Sequence, residues 1–88
     1  MIIEFHQKFR KHYKSRIVRN HRLLTKTEAK VKLFKINPQN PTLKDNQLTG
    51  DKKDFRSFWI TGDIRIIYYP VSKNEAIFID VGTHNQIY

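Results

Sequence analysis

The chain has 88 residues, no cysteine, 39% hydrophobic residues and a mean hydropathy of -0.65, which describes one small domain without disulfides or thiolate metal sites. No apolar run approaches the about 18 residues of a membrane span, and MIIEFHQKF has neither a basic lead nor a long apolar segment, so no leader is expected and the cytoplasm is the expected compartment. Seventeen Lys and Arg against eight Asp and Glu leave a formal charge of +9, a field that attracts phosphates or an acidic protein.

The opening MIIEF reads as a short strand. Phe5, Phe9, Tyr13 and Ile17 then recur at i, i+4 with Lys8, Arg10, Lys11, Lys14 and Arg16 between them, which predicts an amphipathic helix over 5–18 with a basic outer face. Thr25-Lys26-Thr27-Glu28 has the capping-box pattern, and Ala29, Leu33, Phe34 and Ile36 follow it until Asn37-Pro38, which predicts a second helix over about 26–36. Residues 37–53 are polar with two prolines and read as a loop, with at most a short strand near Leu43 to Leu48. The period then changes: DFRSFWI, DIRIIYYPV and AIFIDVG, separated by TGD and SKNE, predict an antiparallel meander. The expected architecture is α+β, two N-terminal helices packed on a small antiparallel sheet, in a single domain over 1–88.

If Thr61-Gly62 closes the first hairpin, Ile60 faces Asp63, Phe58 faces Arg65 and Arg56 faces Ile67. If Lys73-Asn74 closes the second, Tyr69 faces Phe78, Ile67 faces Asp80, Arg65 faces Gly82 and Asp63 faces His84. Ser57, Trp59, Ile64, Ile66, Tyr68, Ile77, Ile79 and Val81 then form the core side under the helices. Arg56, Asp63, Arg65, Tyr69, Asp80 and His84 share the other side, the tail extending the last strand and Gly82 leaving open space beside Arg65. A slip of one residue in either turn exchanges the faces.

Histidine carries protons at neutral pH, a neighbouring carboxylate orients its ring, and arginine stabilises charge on a phosphoryl group. His84, Asp63 and Arg65, helped by Arg56, therefore suit metal-free RNA cleavage by 2'-hydroxyl attack. The four histidines show neither H-x3-H nor H-E-x-x-H spacing, and no metal or other cofactor is expected. Each residue also has a purely structural reading: Arg56 and Arg65 as cross-strand partners of Asp63 and Asp80, Tyr88 as a hydrophobic latch, the basic helix as a solvated face.

From LTG (Leu48 to Gly50) through RSFWITGDIRIIYY (Arg56 to Tyr69) to IDVGTHNQIY (Ile79 to Tyr88), the sequence resembles the RelE/ParE superfamily of type II toxins, on its RelE/YafQ messenger-RNA interferase side. GTHNQIY is similar to the ending G-T-H-x-x-[IL]-[FY] of YafQ-type chains. The resemblance implies proton transfer by His84, an RNA contact by Tyr88, an active-site carboxylate at Asp63, phosphate contact by Arg65 and a weaker match at Arg56. Lys52, Lys53 and Asn46 are the expected RNA-binding residues. Asn46 and Trp59 stand where that pattern has histidines, and the glutamate of YoeB-type chains has no counterpart near Pro41 and Thr42, so the implied acid/base set is reduced. The implied activity is ribosome-dependent cleavage of mRNA, and the implied partners are the ribosome, mRNA and an acidic antitoxin. The alternatives are a ParE-like gyrase poison, against which the GTHNQIY ending argues, and a catalytically weak RNA-binding relative.

Overall fold

A helical period runs through Ile36 and a strand period begins at Arg56, and the computed structural model, which describes all 88 residues, packs two N-terminal helices on a five-stranded sheet. Strand β1 (Ile2–Phe5) leads into α1 (Gln7–His12), α2 (His21–Ile36) follows, and β2 (Asn46–Gln47) lies in the polar stretch. Then come β3 (Arg56–Thr61), β4 (Ile64–Ser72), β5 (Glu75–Thr83) and the single turn α3 (His84–Ile87). The sheet order is β1-β5-β4-β3-β2. β1 runs parallel to β5, Ile2 beside Glu75 and Phe5 beside Phe78, so the sheet is mixed where an antiparallel one was expected. Nearly the whole chain separates these two strands, which gives a parallel pairing ample connection.

Phe5, Phe9 and Tyr13 stack at 5.5 Å between successive centroids, as their i, i+4 spacing predicts. Beyond His12 the helix widens into a π turn over Tyr13–Ile17, where the Val18 amide donates to the Tyr13 carbonyl at 3.0 Å. That turn ends with Ile17 fully buried. α2 starts five residues before the expected Lys26, because Asn20 caps it: its side chain accepts from the Leu23 amide at 3.1 Å. The Thr25 hydroxyl instead donates to the His21 carbonyl inside the helix.

Phe34 of α2 lies 4.5 Å from Phe58, 4.8 Å from Tyr68 and 5.6 Å from Phe78, and these four rings centre the core. Phe9, Ile17, Leu43, Ile60, Ile66, Ala76 and Val81 complete it. Ile66, Tyr68 and Val81 are buried there as expected and Ile64 packs at its margin, but Ser57, Trp59, Ile77 and Ile79 are not part of it; Phe58, Ile60, Ala76 and Phe78 take their places. On β3 the cause is a turn and a bulge together: the β3–β4 turn is centred on Gly62-Asp63, with Gly62 at φ 53, so that Thr61 faces Ile64, and an irregularity between Trp59 and Thr61 then makes the net slip one residue. Trp59 thus faces Arg65, and Arg56 faces Tyr68. In the β4–β5 hairpin Arg65 faces Gly82 and Ile67 faces Asp80 as expected, but an irregularity after Ile67 brings Tyr68, not Tyr69, opposite Phe78.

Candidate functional site

The sheet face away from the helices has its own small cluster, Leu48, Ile67 and Ile87, with Phe55 and Ile79 packed against it. Ile87 seats the C-terminal turn there. The tail does not extend β5, as expected from strand patterning, because Thr83-x-x-Gln86 is a capping box: the Gln86 Oε1 accepts from the Thr83 amide at 2.8 Å and starts α3. One helical turn sets His84 and Tyr88 on one side, with ring centroids 4.4 Å apart. The Tyr88 hydroxyl donates to Ser57 Oγ at 2.9 Å, tying the terminal residue to β3.

His84 and Tyr88 form one wall of a cleft of about 460 Å³. Arg65 enters from β4, Lys52 from the turn after β2, and Asn46, Gln47, Leu48 and Thr49 supply the opposite wall. The Lys52 ammonium donates to the Ile87 carbonyl at 3.4 Å. Neither Arg65 nor Lys52 forms an ion pair; the four ion pairs in the structure use Lys8, His12, Arg16 and Arg56. Two unpaired cations, an imidazole and an aromatic ring around one polar hollow can receive an anionic, ring-bearing ligand.

Of the expected site residues, Arg65, His84, Tyr88, Lys52 and Asn46 meet in this cleft. Asp63 lies in the β3–β4 turn, where its Oδ2 accepts from the His84 backbone amide at 3.2 Å, so it holds the start of α3 and not the imidazole. Lys53 does not line the cleft; its carbonyl accepts from the Gln47 side chain at 2.8 Å. Arg56 is a correction: the one-residue slip puts it on the helix face, where its Nε donates to Asp45 Oδ1 at 2.5 Å. Asp45 also accepts from the Tyr68 hydroxyl. Burial, and then that hydrogen bond, push the Tyr68 hydroxyl well above the ordinary tyrosine range. Asp80 is a second correction, buried under α1 with its Oδ1 2.6 Å from His12 Nδ1.

The space beside Gly82 is not open either. A side chain there would meet Gln86 Oε1 at 2.6 Å and an Arg16 guanidinium nitrogen at 2.7 Å, so glycine lets α3 and Arg16 close over β5. Arg16 also donates to the Val81 carbonyl at 2.9 Å. Sequence reasoning missed this support, and with it Gln47, Thr49 and Ser57; only the Thr83–Gln86 spacing carried a readable signal. No group of three or more His, Cys, Asp or Glu side chains is placed to hold a metal ion, and no helix is long and apolar enough to cross a membrane.

Comparison with curated protein sequences finds no match. Among solved structures, the chain is similar to YafQ from Escherichia coli strain BL21(DE3), with a TM-score of 0.81, 25% identity, and coverage of 98% of this chain and 96% of that one. It is likewise similar to a chain of the E. coli DinJ-YafQ complex, with a TM-score of 0.79, 25% identity, and coverage of 98% and 96%. A metal-bound toxin from Helicobacter pylori gives a TM-score of 0.75 at 26% identity, covering 100% of this chain and 99% of that one. The family model for YafQ, the bacterial toxin of a type II toxin-antitoxin system, matches residues 1–88, and the chain therefore belongs to the YafQ toxin family.

Proposed function

We propose that this toxin is an endoribonuclease that cuts mRNA on the ribosome and is held inactive by an acidic antitoxin. The observation that carries the reading is the convergence of His84 and Arg65, from different elements, on one cleft with Tyr88 and Lys52. In the proposed reaction the RNA 2'-oxygen attacks the adjacent phosphorus, a new P–O2' bond forms, and the P–O5' bond breaks to leave a 2',3'-cyclic phosphate. The 2'-hydroxyl proton passes to solvent, and His84 delivers one to the departing 5'-oxygen. Arg65 stabilises the charge that builds on the phosphoryl oxygens. Tyr88 stacks on a base, Lys52 and Asn46 hold the backbone, and Asp63 positions His84 through its backbone amide.

The antitoxin reading rests on family membership, on the DinJ-YafQ complex formed by a similar chain, and on the +9 charge. Induction of the toxin without a partner in a bacterium, followed by mapping of mRNA 5' ends, tests the cleavage reading. Clustered in-frame cuts that vanish in His84→Ala are the expected result. Growth arrest with intact mRNA and damaged DNA overturns it in favour of gyrase poisoning.

A further inference from the structure

The cleft uses only part of the cationic surface. Arg22, Lys26 and Lys30 stand at i, i+4, i+8 on α2, and none of them forms an ion pair. Arg22 and Lys26 line a hollow of about 170 Å³ with Thr61, at the end of β3. Lys30 continues the row: its ammonium lies 4.7 Å from the centre of the Trp59 ring, and Lys44 reaches the same ring at 4.5 Å. These four cations therefore run along the outer edge of β3, which β2 covers only at Arg56 and Ser57.

Three local rules are broken to keep them there. Like charges four apart on a helix repel. Arg22 sits in the first turn of α2, where the helix dipole disfavours a cation. Lys44 holds a left-handed backbone at φ 49, a conformation that costs a residue with a side chain. Local penalties that recur on one surface point to a ligand. The absence of any acidic side chain paired to the row selects a polyanion, and Trp59 gives the row its direction. It faces Arg65 across the sheet, and Arg65 lines the cleft.

We propose that Arg22, Lys26, Lys30 and Lys44 form a backbone track that binds the phosphates of RNA outside the cleft, with Trp59 joining track to cleft. The inference rests on the RNA reading of the cleft and extends it by naming where the nucleic acid lies beyond the reacting phosphate. It concerns affinity alone, so it is tested with RNA that cannot be cut.

The probe is a fluorescein-labelled, fully 2'-O-methylated RNA hairpin, titrated by anisotropy over a series of salt concentrations. Each phosphate neutralised on a single strand contributes about 0.7 to the slope of log affinity against log salt, and on a duplex about 0.9. A variant carrying Arg22→Gln, Lys26→Gln, Lys30→Gln and Lys44→Gln is expected to flatten the slope by about three. A control that removes the same charge elsewhere, Lys11→Gln, Lys32→Gln, Lys35→Gln and Lys73→Gln, is expected to flatten it by less than about one. Trp59 is the chain's one tryptophan, so its emission should shift in the wild type as the hairpin binds, saturating with the anisotropy.

Equal flattening in both variants overturns the proposal, because the overall field then does the binding. So does a Trp59 shift produced by polyglutamate but not by RNA, which assigns the row to an acidic protein. Unchanged RNA affinity with aggregation of the track variant also overturns it, leaving the lysines as guards of an open strand edge. Retention of in-frame cutting by a track variant that fails these tests separates the loss of this proposal from the loss of the cleavage reading.

Discussion

The two faces of the sheet are built for different ends. Under the helices, Phe34, Phe58 and Phe78 are at most 1% exposed and interlock with Tyr68. Beside the cleft the buried hydrophobic residues are Leu48, Ile67 and Ile87, and polar side chains surround them. A domain of this size is held by a margin of only about 5–15 kcal/mol. Confining that margin to one face leaves the other free to hold unpaired cations and a short, separable tail.

This division predicts that the largest stability loss comes from the helix face. Phe58→Ala, which empties a ring position at 0% exposure, should cost about 3–5 kcal/mol in urea unfolding. Asp45→Ala strips Arg56 and the Tyr68 hydroxyl of a shared acceptor, and should cost about 1–3 kcal/mol without lowering the cleavage rate of the folded fraction. A fall in that rate would return Arg56 to the site. Gly82→Ala sharpens the contrast from the other side: its methyl meets Gln86 and Arg16, so strain of about 1–3 kcal/mol should come with displacement of His84, seen as loss of the nuclear Overhauser contacts between His84 and Tyr88.

Smaller effects follow. Burial, and then Asp45, raise the Tyr68 pKa; burial, and then Glu28, raise that of Tyr13. The folded state therefore holds both phenolic protons more tightly than the unfolded chain does. This stability is fully present below the ordinary tyrosine value of 10.0 and is lost as pH rises through the folded values. Unfolding midpoints should accordingly fall above about pH 10 in the wild type and less steeply in Tyr68→Phe. Smallest is Tyr88→Phe, which deletes the hydrogen bond to Ser57 for about 0.5–1.5 kcal/mol and keeps the ring over the cleft.

The α+β class, the opening strand and the meander were legible because their periods differ and because Asn37-Pro38 stops the helix. The pairing of Arg65 with Gly82 was legible as well, since Lys73-Asn74 is the turn the chain uses. Arg56 was misplaced because the turn is centred on Gly62-Asp63 and a bulge between Trp59 and Thr61 makes the net slip one residue, and local sequence announces neither. The register belongs to the core, which seats Phe58 against Phe34 and so carries Arg56 to the helix face. Asp80 escaped for a similar reason: strand alternation assigns it to the open face, and the irregularity after Ile67 delivers it to His12. The α3 turn was written in Thr83-x-x-Gln86, but a strand pattern running up to it concealed the signal.

The central claim is that the shallow face carries the chemistry and the helix face does not. The most direct test is the cleavage rate of a ribosome-bound mRNA by folded His84→Ala toxin against wild type, with both unfolded in urea alongside. Cleavage should fall by about 10²–10⁴-fold, while stability stays within about 0.5 kcal/mol of wild type. An unchanged rate from a folded His84→Ala protein would contradict the account.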